Sequence, residues 1–127
     1  MPDLTILHTN DLHGKLSDYG ADIIARERDA SQPCLLLDGG VSSGNIYYRP
    51  GGEPILARLS ALRYDAMAMG NREFHFLEAG LKSKVRLAAF PVLSANIRAN
   101  EGAELGPSVV PWIRRELGGI RVTVFGL

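Results

Sequence analysis

Short apolar runs alternate with helical stretches along most of this chain, and that alternation restricts it to a sheet joined by crossover helices. Residues 4–8 form an apolar run rich in strand formers, and residues 19–30 carry Ile23 and Ile24 among charges at helical spacing. Residues 34–37, Cys-Leu-Leu-Leu, are apolar without interruption, the pattern of a strand covered on both faces. Glu53-Pro54 opens a second helix, with the proline early, where its missing N–H costs nothing. Ile55, Leu56, Leu59 and Leu62 make its buried stripe. A strand over 66–69, a helix over 77–87 and a strand over 89–93 continue the series. The expectation is an α/β chain with a mainly parallel sheet and right-handed βαβ crossovers. The tail differs: runs over 109–116 and 120–127 flank Leu117-Gly118-Gly119, which predicts a C-terminal β-hairpin. Residues 39–52 and 98–107 read as loops, and nothing divides residues 1–127 into two domains.

Charge excludes some partners. Fourteen basic and fourteen acidic residues cancel, so no overall attraction to nucleic acid or to an acidic membrane is expected. There is no basic segment leading into an apolar stretch at the N-terminus and no run of membrane-spanning length, so a cytoplasmic location is expected. The single Cys34 opens an apolar run and reads as a core residue.

The chemistry concentrates where the first strand breaks. In Asn10-Asp11-Leu12-His13-Gly14 an Asp and a His stand two apart, and in extended chain such residues point to the same side. A carboxylate oxygen with an imidazole nitrogen suits Mn, Fe or Zn. The plainer alternative is a turn-forming Asp11 beside a surface imidazole. Three further strings accompany the hook: Leu35-Leu36-Leu37-Asp38-Gly39-Gly40, Tyr64-Asp65-Ala66-Met67-Ala68-Met69-Gly70-Asn71, and Phe90-Pro91-Val92-Leu93-Ser94-Ala95-Asn96-Ile97. In wording, order and spacing the four together closely resemble the opening of the 5'-nucleotidase type of metallophosphoesterases (the calcineurin-like superfamily). The resemblance implies that the chain is the N-terminal half of that catalytic domain, half of a four-layer sandwich. It implies metal-dependent hydrolysis of a small phosphate ester, a nucleotide or a relative of one, with divalent Mn, Zn, Fe or Mg. By resemblance Asp11 and His13 would hold a first ion and Asn71 would hold a second through its side-chain oxygen; Asn71 and Arg72 are the candidate catalytic residues.

Three departures from the family pattern accompany the match. The second motif of the family ends in Gly-Asp, whose Asp bridges the two ions; here Val41 follows Gly40. Asp38, three residues before Val41, is the candidate replacement. Where the family has His, this chain has Arg72, which can clamp phosphate but cannot serve as an acid near neutral pH. His75, three residues on, is a candidate substitute acid or a partly buried ring beside Phe74 and Phe76. Asn45, with Tyr47, Tyr48 and Arg49, lies in the loop nearest the site and is a candidate for substrate binding. The family's later Gly-His and Gly-His-x-His motifs do not occur, and His8, within the first strand, reads as a hydrogen-bonded structural imidazole. The site is therefore expected to be incomplete, with weakly bound metal and background hydrolysis by this chain alone. The alternative is a non-catalytic remnant or scaffold that binds one ion or phosphate weakly and oligomerises. Either reading leaves a sheet face to be covered, by a homodimer or by the missing C-terminal half.

Overall fold

In the computed structural model, residues 3–44, 50–75 and 77–127 are described. Strands and helices follow in the order β1 (Thr5–Thr9), α1 (Asp18–Ala30), β2 (Cys34–Asp38), α2 (Pro54–Ala61), β3 (Ala66–Ala68), α3 (Glu78–Val85), β4 (Val92–Leu93), β5 (Val109–Val110), β6 (Trp112–Leu117) and β7 (Ile120–Phe125). The first five strands form one parallel sheet in sequential order, and β6 and β7 form a separate antiparallel pair. The chain is thus a mainly parallel α/β unit with a C-terminal hairpin, as its alternation predicts.

Local chemistry explains the helices. The Ser17 side chain accepts from the Gly20 N–H and caps α1, with Asp18 in the first turn. Pro54 starts α2, and Ile55, Leu56 and Leu59 are buried. Side chains alternate across the sheet. Leu7, Leu36, Met67, Val92 and Val109 belong to the core that the helices cover, whereas Leu37, Ala66, Leu93 and Val110 meet Ile113 and Val124 of the hairpin on the other face. Cys34 is buried in β2, where burial pushes its thiol pKa up.

One expected strand is two. The run over 109–116 divides at Pro111, which has no N–H to give a ladder, so Val109–Val110 closes the parallel sheet while Trp112–Leu117 leaves it for the hairpin. Among the described residues no helix is long and apolar enough to cross a membrane.

Candidate metal and phosphate site

Parallel strands carry their following loops to one rim of the sheet, and here the hydrogen-bond ladder continues past the strand ends. Gly39 N–H donates to Thr9 O (2.7 Å), Asp11 N–H to Gly40 O (3.0 Å), His13 N–H to Val41 O (3.1 Å) and Gly14 N–H to Ser42 O (2.6 Å). The β1 and β2 loops are therefore zipped together. The β3 loop lies against the far side of the β2 loop: at Gly40 (φ 98°) a Cβ would come within 2.9 Å of both Ala68 O and Gly70 N. That approach needs glycine. The rim thus has the order residues 10–14, 40–44, 70–73.

Asp11 and His13 are brought together. His13 Nε2 is 3.8 Å from Asp11 Oδ1, and both side chains are exposed. Asn10 Nδ2 donates to Asp11 Oδ2 (2.7 Å), which orients the carboxylate with its other oxygen toward the imidazole. Bonds of about 2.0–2.2 Å to a shared ion accommodate donors at this separation, so the pair fits one divalent cation. Both residues have positive φ (56° and 51°), as does Val41 (60°) in the loop hydrogen-bonded to them. Such backbone outliers cluster at functional sites.

Asp38 stays in register at the end of β2 and serves the loop from below. Its carboxylate is buried and accepts from Thr9 Oγ1 (2.6 Å), Gly40 N–H (2.8 Å) and Ser42 Oγ (2.7 Å), while Thr9 Oγ1 lies 3.0 Å from Tyr64 Oη. Burial raises its pKa, the bonds from Thr9, Ser42 and Gly40 oppose this, and the Glu73 charge adds to it. A carboxylate so engaged holds the turn from Gly39 to Ser42.

Asn71 is exposed in the β3 loop, and Arg72 Nη1 donates to Gly44 O (3.1 Å), so the guanidinium reaches across the β2 loop. His75 is turned elsewhere: its Nδ1 accepts from Leu77 N–H (3.0 Å) and its ring lies against Gly80. It lines a cavity of about 470 Å³ with Phe74, Leu81, Ile97 and Leu105, which includes none of the rim residues named above. His8 is exposed on the hairpin side of the sheet rather than held inside the strand. Asn45, Tyr47, Tyr48 and Arg49 lie outside the described residues. Among the described residues no three His, Cys, Asp or Glu side chains are grouped to hold an ion.

Sequence reasoning missed the groups that fix the rim. Glu73 is fully buried and accepts from Gly70 N–H (2.9 Å), Val41 N–H (2.9 Å) and Ser43 N–H (2.7 Å), pinning the β3 loop to the β2 loop. Lys84 of α3 is also fully buried and donates to Arg72 O. Burial lowers its pKa, while the Glu53 and Glu73 carboxylates raise it. The signal for Glu73 was its place after Gly-Asn-Arg; the signal for Lys84 was its helical spacing from Gly80 and Leu81, which puts it on the buried stripe.

No family model matches the chain. Among curated proteins, snake venom 5'-nucleotidase of Naja atra is 34% identical, over 98% of this chain and 28% of its own length. Human 5'-nucleotidase is 36% identical over 76% of this chain and 21% of its own length. The crystal structure of a 5'-nucleotidase precursor from Thermus thermophilus superposes with a TM-score of 0.73 at 30% identity, covering 98% of this chain and 28% of that one. The chain belongs to the 5'-nucleotidase type of metallophosphoesterases. It matches the N-terminal part, and spans between 21% and 28% of the length of these relatives. Haemophilus influenzae NAD nucleotidase shares the fold, with a TM-score of 0.82 at 22% identity over 98% of this chain and 26% of that one.

Proposed function

We propose that this chain supplies one rim of a metal-dependent phosphoesterase site acting on nucleotides or related phosphate esters, and that alone it holds a single divalent ion weakly. The observation that carries this reading is the Asp11–His13 pair, 3.8 Å apart, exposed and oriented by Asn10 on a loop locked to its neighbour. A divalent cation bound there would polarise a phosphoryl oxygen and activate water. The protein's own part is to fix the ligands. Asn71 would present its side-chain oxygen from the next loop but one, and Arg72, tethered to Gly44 O, would meet phosphate charge with its remaining guanidinium donors. Neither Val41 nor the engaged Asp38 offers the bridging carboxylate that a close pair of ions needs, so this chain alone is expected to hydrolyse phosphate esters at background rates. That same absence favours the second reading, a non-catalytic unit that binds one ion or a phosphate.

The test is metal content. After dialysis with Mn²⁺ or Zn²⁺, mass spectrometry should find less than one ion per chain, falling further in His13→Ala. Two tightly retained ions would refute the assignment.

A further inference from the structure

We propose that Lys84, a residue of α3 remote in sequence from the rim, is a positioning residue that sets how Asn71 and Arg72 are presented there. The inference rests on reading Asn71 as a site residue. Residues 70–72 are gripped at both ends: Glu73 accepts the Gly70 N–H at 2.9 Å, and Lys84 Nζ donates to the Arg72 carbonyl. Asn71 lies between these anchors and makes its approach to the rim from a segment with little freedom left.

The two anchors depend on each other. Both side chains are fully buried, where an unpaired charge is expensive. Lys84 feels the carboxylates of Glu73 and of Glu53, which stands immediately before α2 and is itself fully buried. Without the ammonium the Arg72 carbonyl loses its donor, and the anchor at that end of residues 70–72 is gone. Glu73, which ties Gly70 N–H to the N–H groups of Val41 and Ser43, would then hold a segment free to move at its far end. The effect of Lys84 therefore reaches both the β3 loop and the β2 loop, although it lies on neither.

The experiment uses nuclear magnetic resonance on the isotope-labelled 127-residue chain, wild type against Lys84→Met, which removes the charge at similar volume. Hydrogen exchange at Gly70, Val41 and Ser43 should accelerate at least tenfold in the variant, with Met67, bonded to Pro91 O inside the sheet, unchanged. With diamagnetic Zn²⁺ added, the signals of Asp11 and His13 should shift in both proteins, and those of the Asn71 side-chain amide in the wild type only. Unshifted Asp11 and His13 in the wild type would refute the metal reading by itself, and the exchange comparison would still decide the role of Lys84. Unchanged exchange at Gly70, Val41 and Ser43, or equal loss there and at Met67, would overturn the proposal. Should Lys84→Met not fold, Lys84→Gln, too short to reach the Arg72 carbonyl, takes its place under the same criteria. Failure of both to fold would make Lys84 a general core residue and overturn it too.

Discussion

Val41 combines two penalties at one position. A β-branched residue at φ 60° is strained by roughly 1–3 kcal/mol, and its side chain offers no ligand in the loop hydrogen-bonded to Asp11 and His13. Aspartate tolerates the left-handed region better. Val41→Asp should therefore raise stability in urea by about 1 kcal/mol and tighten Mn²⁺ binding by about tenfold, or ~1.4 kcal/mol. No gain in either would show that this backbone cannot present a ligand from position 41. Asp38 makes the opposite case. Its folded pKa lies above its unfolded value because burial outweighs the bonds from Thr9, Ser42 and Gly40. At low pH both states hold the proton. As pH climbs through the ordinary Asp range, about 3.9, the unfolded chain ionises first, and stability falls until the folded carboxyl has ionised as well. Asp38→Asn keeps the shape and can bond the same partners, so urea unfolding at about pH 4 and about pH 7 should show a smaller drop than in the wild type. Its Mn²⁺ binding should match the wild type. Loss of binding in Asp38→Asn would return Asp38 to the ligand set.

The fold was legible where pattern and covering agree. Residues 34–37 of β2 are apolar without a break because helices cover one face and the hairpin abuts the other, and Pro54–Ala61 begins where a proline precedes an apolar stripe. Pattern failed where one residue outweighs its neighbours. The strand-forming run around Pro111 hid a change of sheet that the missing N–H enforces. In the site, the Asp-x-His hook was legible because both ligands are local in sequence. Glu73 and Lys84 were not read as anchors, because their partners are backbone groups that only the fold brings near; a lysine among Lys82 and Arg86 looks like solvated charge. The hairpin's anchorage is equally invisible beforehand. Ala95 N–H donates to Gly126 O at 2.8 Å, and a Cβ at Gly126 would fall 2.3 Å from Leu93 O. Gly126→Ala should accordingly cost about 1–3 kcal/mol, as other forced insertions do. Urea unfolding would measure it, with the near-ultraviolet signal of Trp112 reporting the hairpin. An unchanged midpoint would mean that the hairpin is not held at this point.

At the scale of the whole molecule, the two faces of the sheet are covered unequally. Helices α1, α2 and α3 pack against one, while the hairpin reaches the other mainly through Ile113 and Val124, beside Ala66 and Leu93. Toward β1 an apolar cleft of about 270 Å³ remains, lined by Ile6, Leu37, Ala66, Leu93, Val124 and Phe125. Ile6 is 55% exposed and Phe125 60%, far above the ordinary burial of such side chains in a sheet. Clustered apolar exposure of this kind marks an interaction surface more often than a solvent face, and β1, at the edge of the sheet, offers unpaired backbone groups as well. In relatives several times longer, further polypeptide is available to cover such a face; the 127-residue chain by itself has only another copy. Light scattering at micromolar concentration should accordingly give about twice the 13.8 kDa chain mass. Ile6→Lys puts a charge into the cleft at a position already half solvated, so it should return the mass to that of one chain without loss of cooperative unfolding. A wild-type chain that stays monomeric with the same cooperative transition would show that the hairpin covers enough of the sheet, and the cleft would then be an ordinary surface groove.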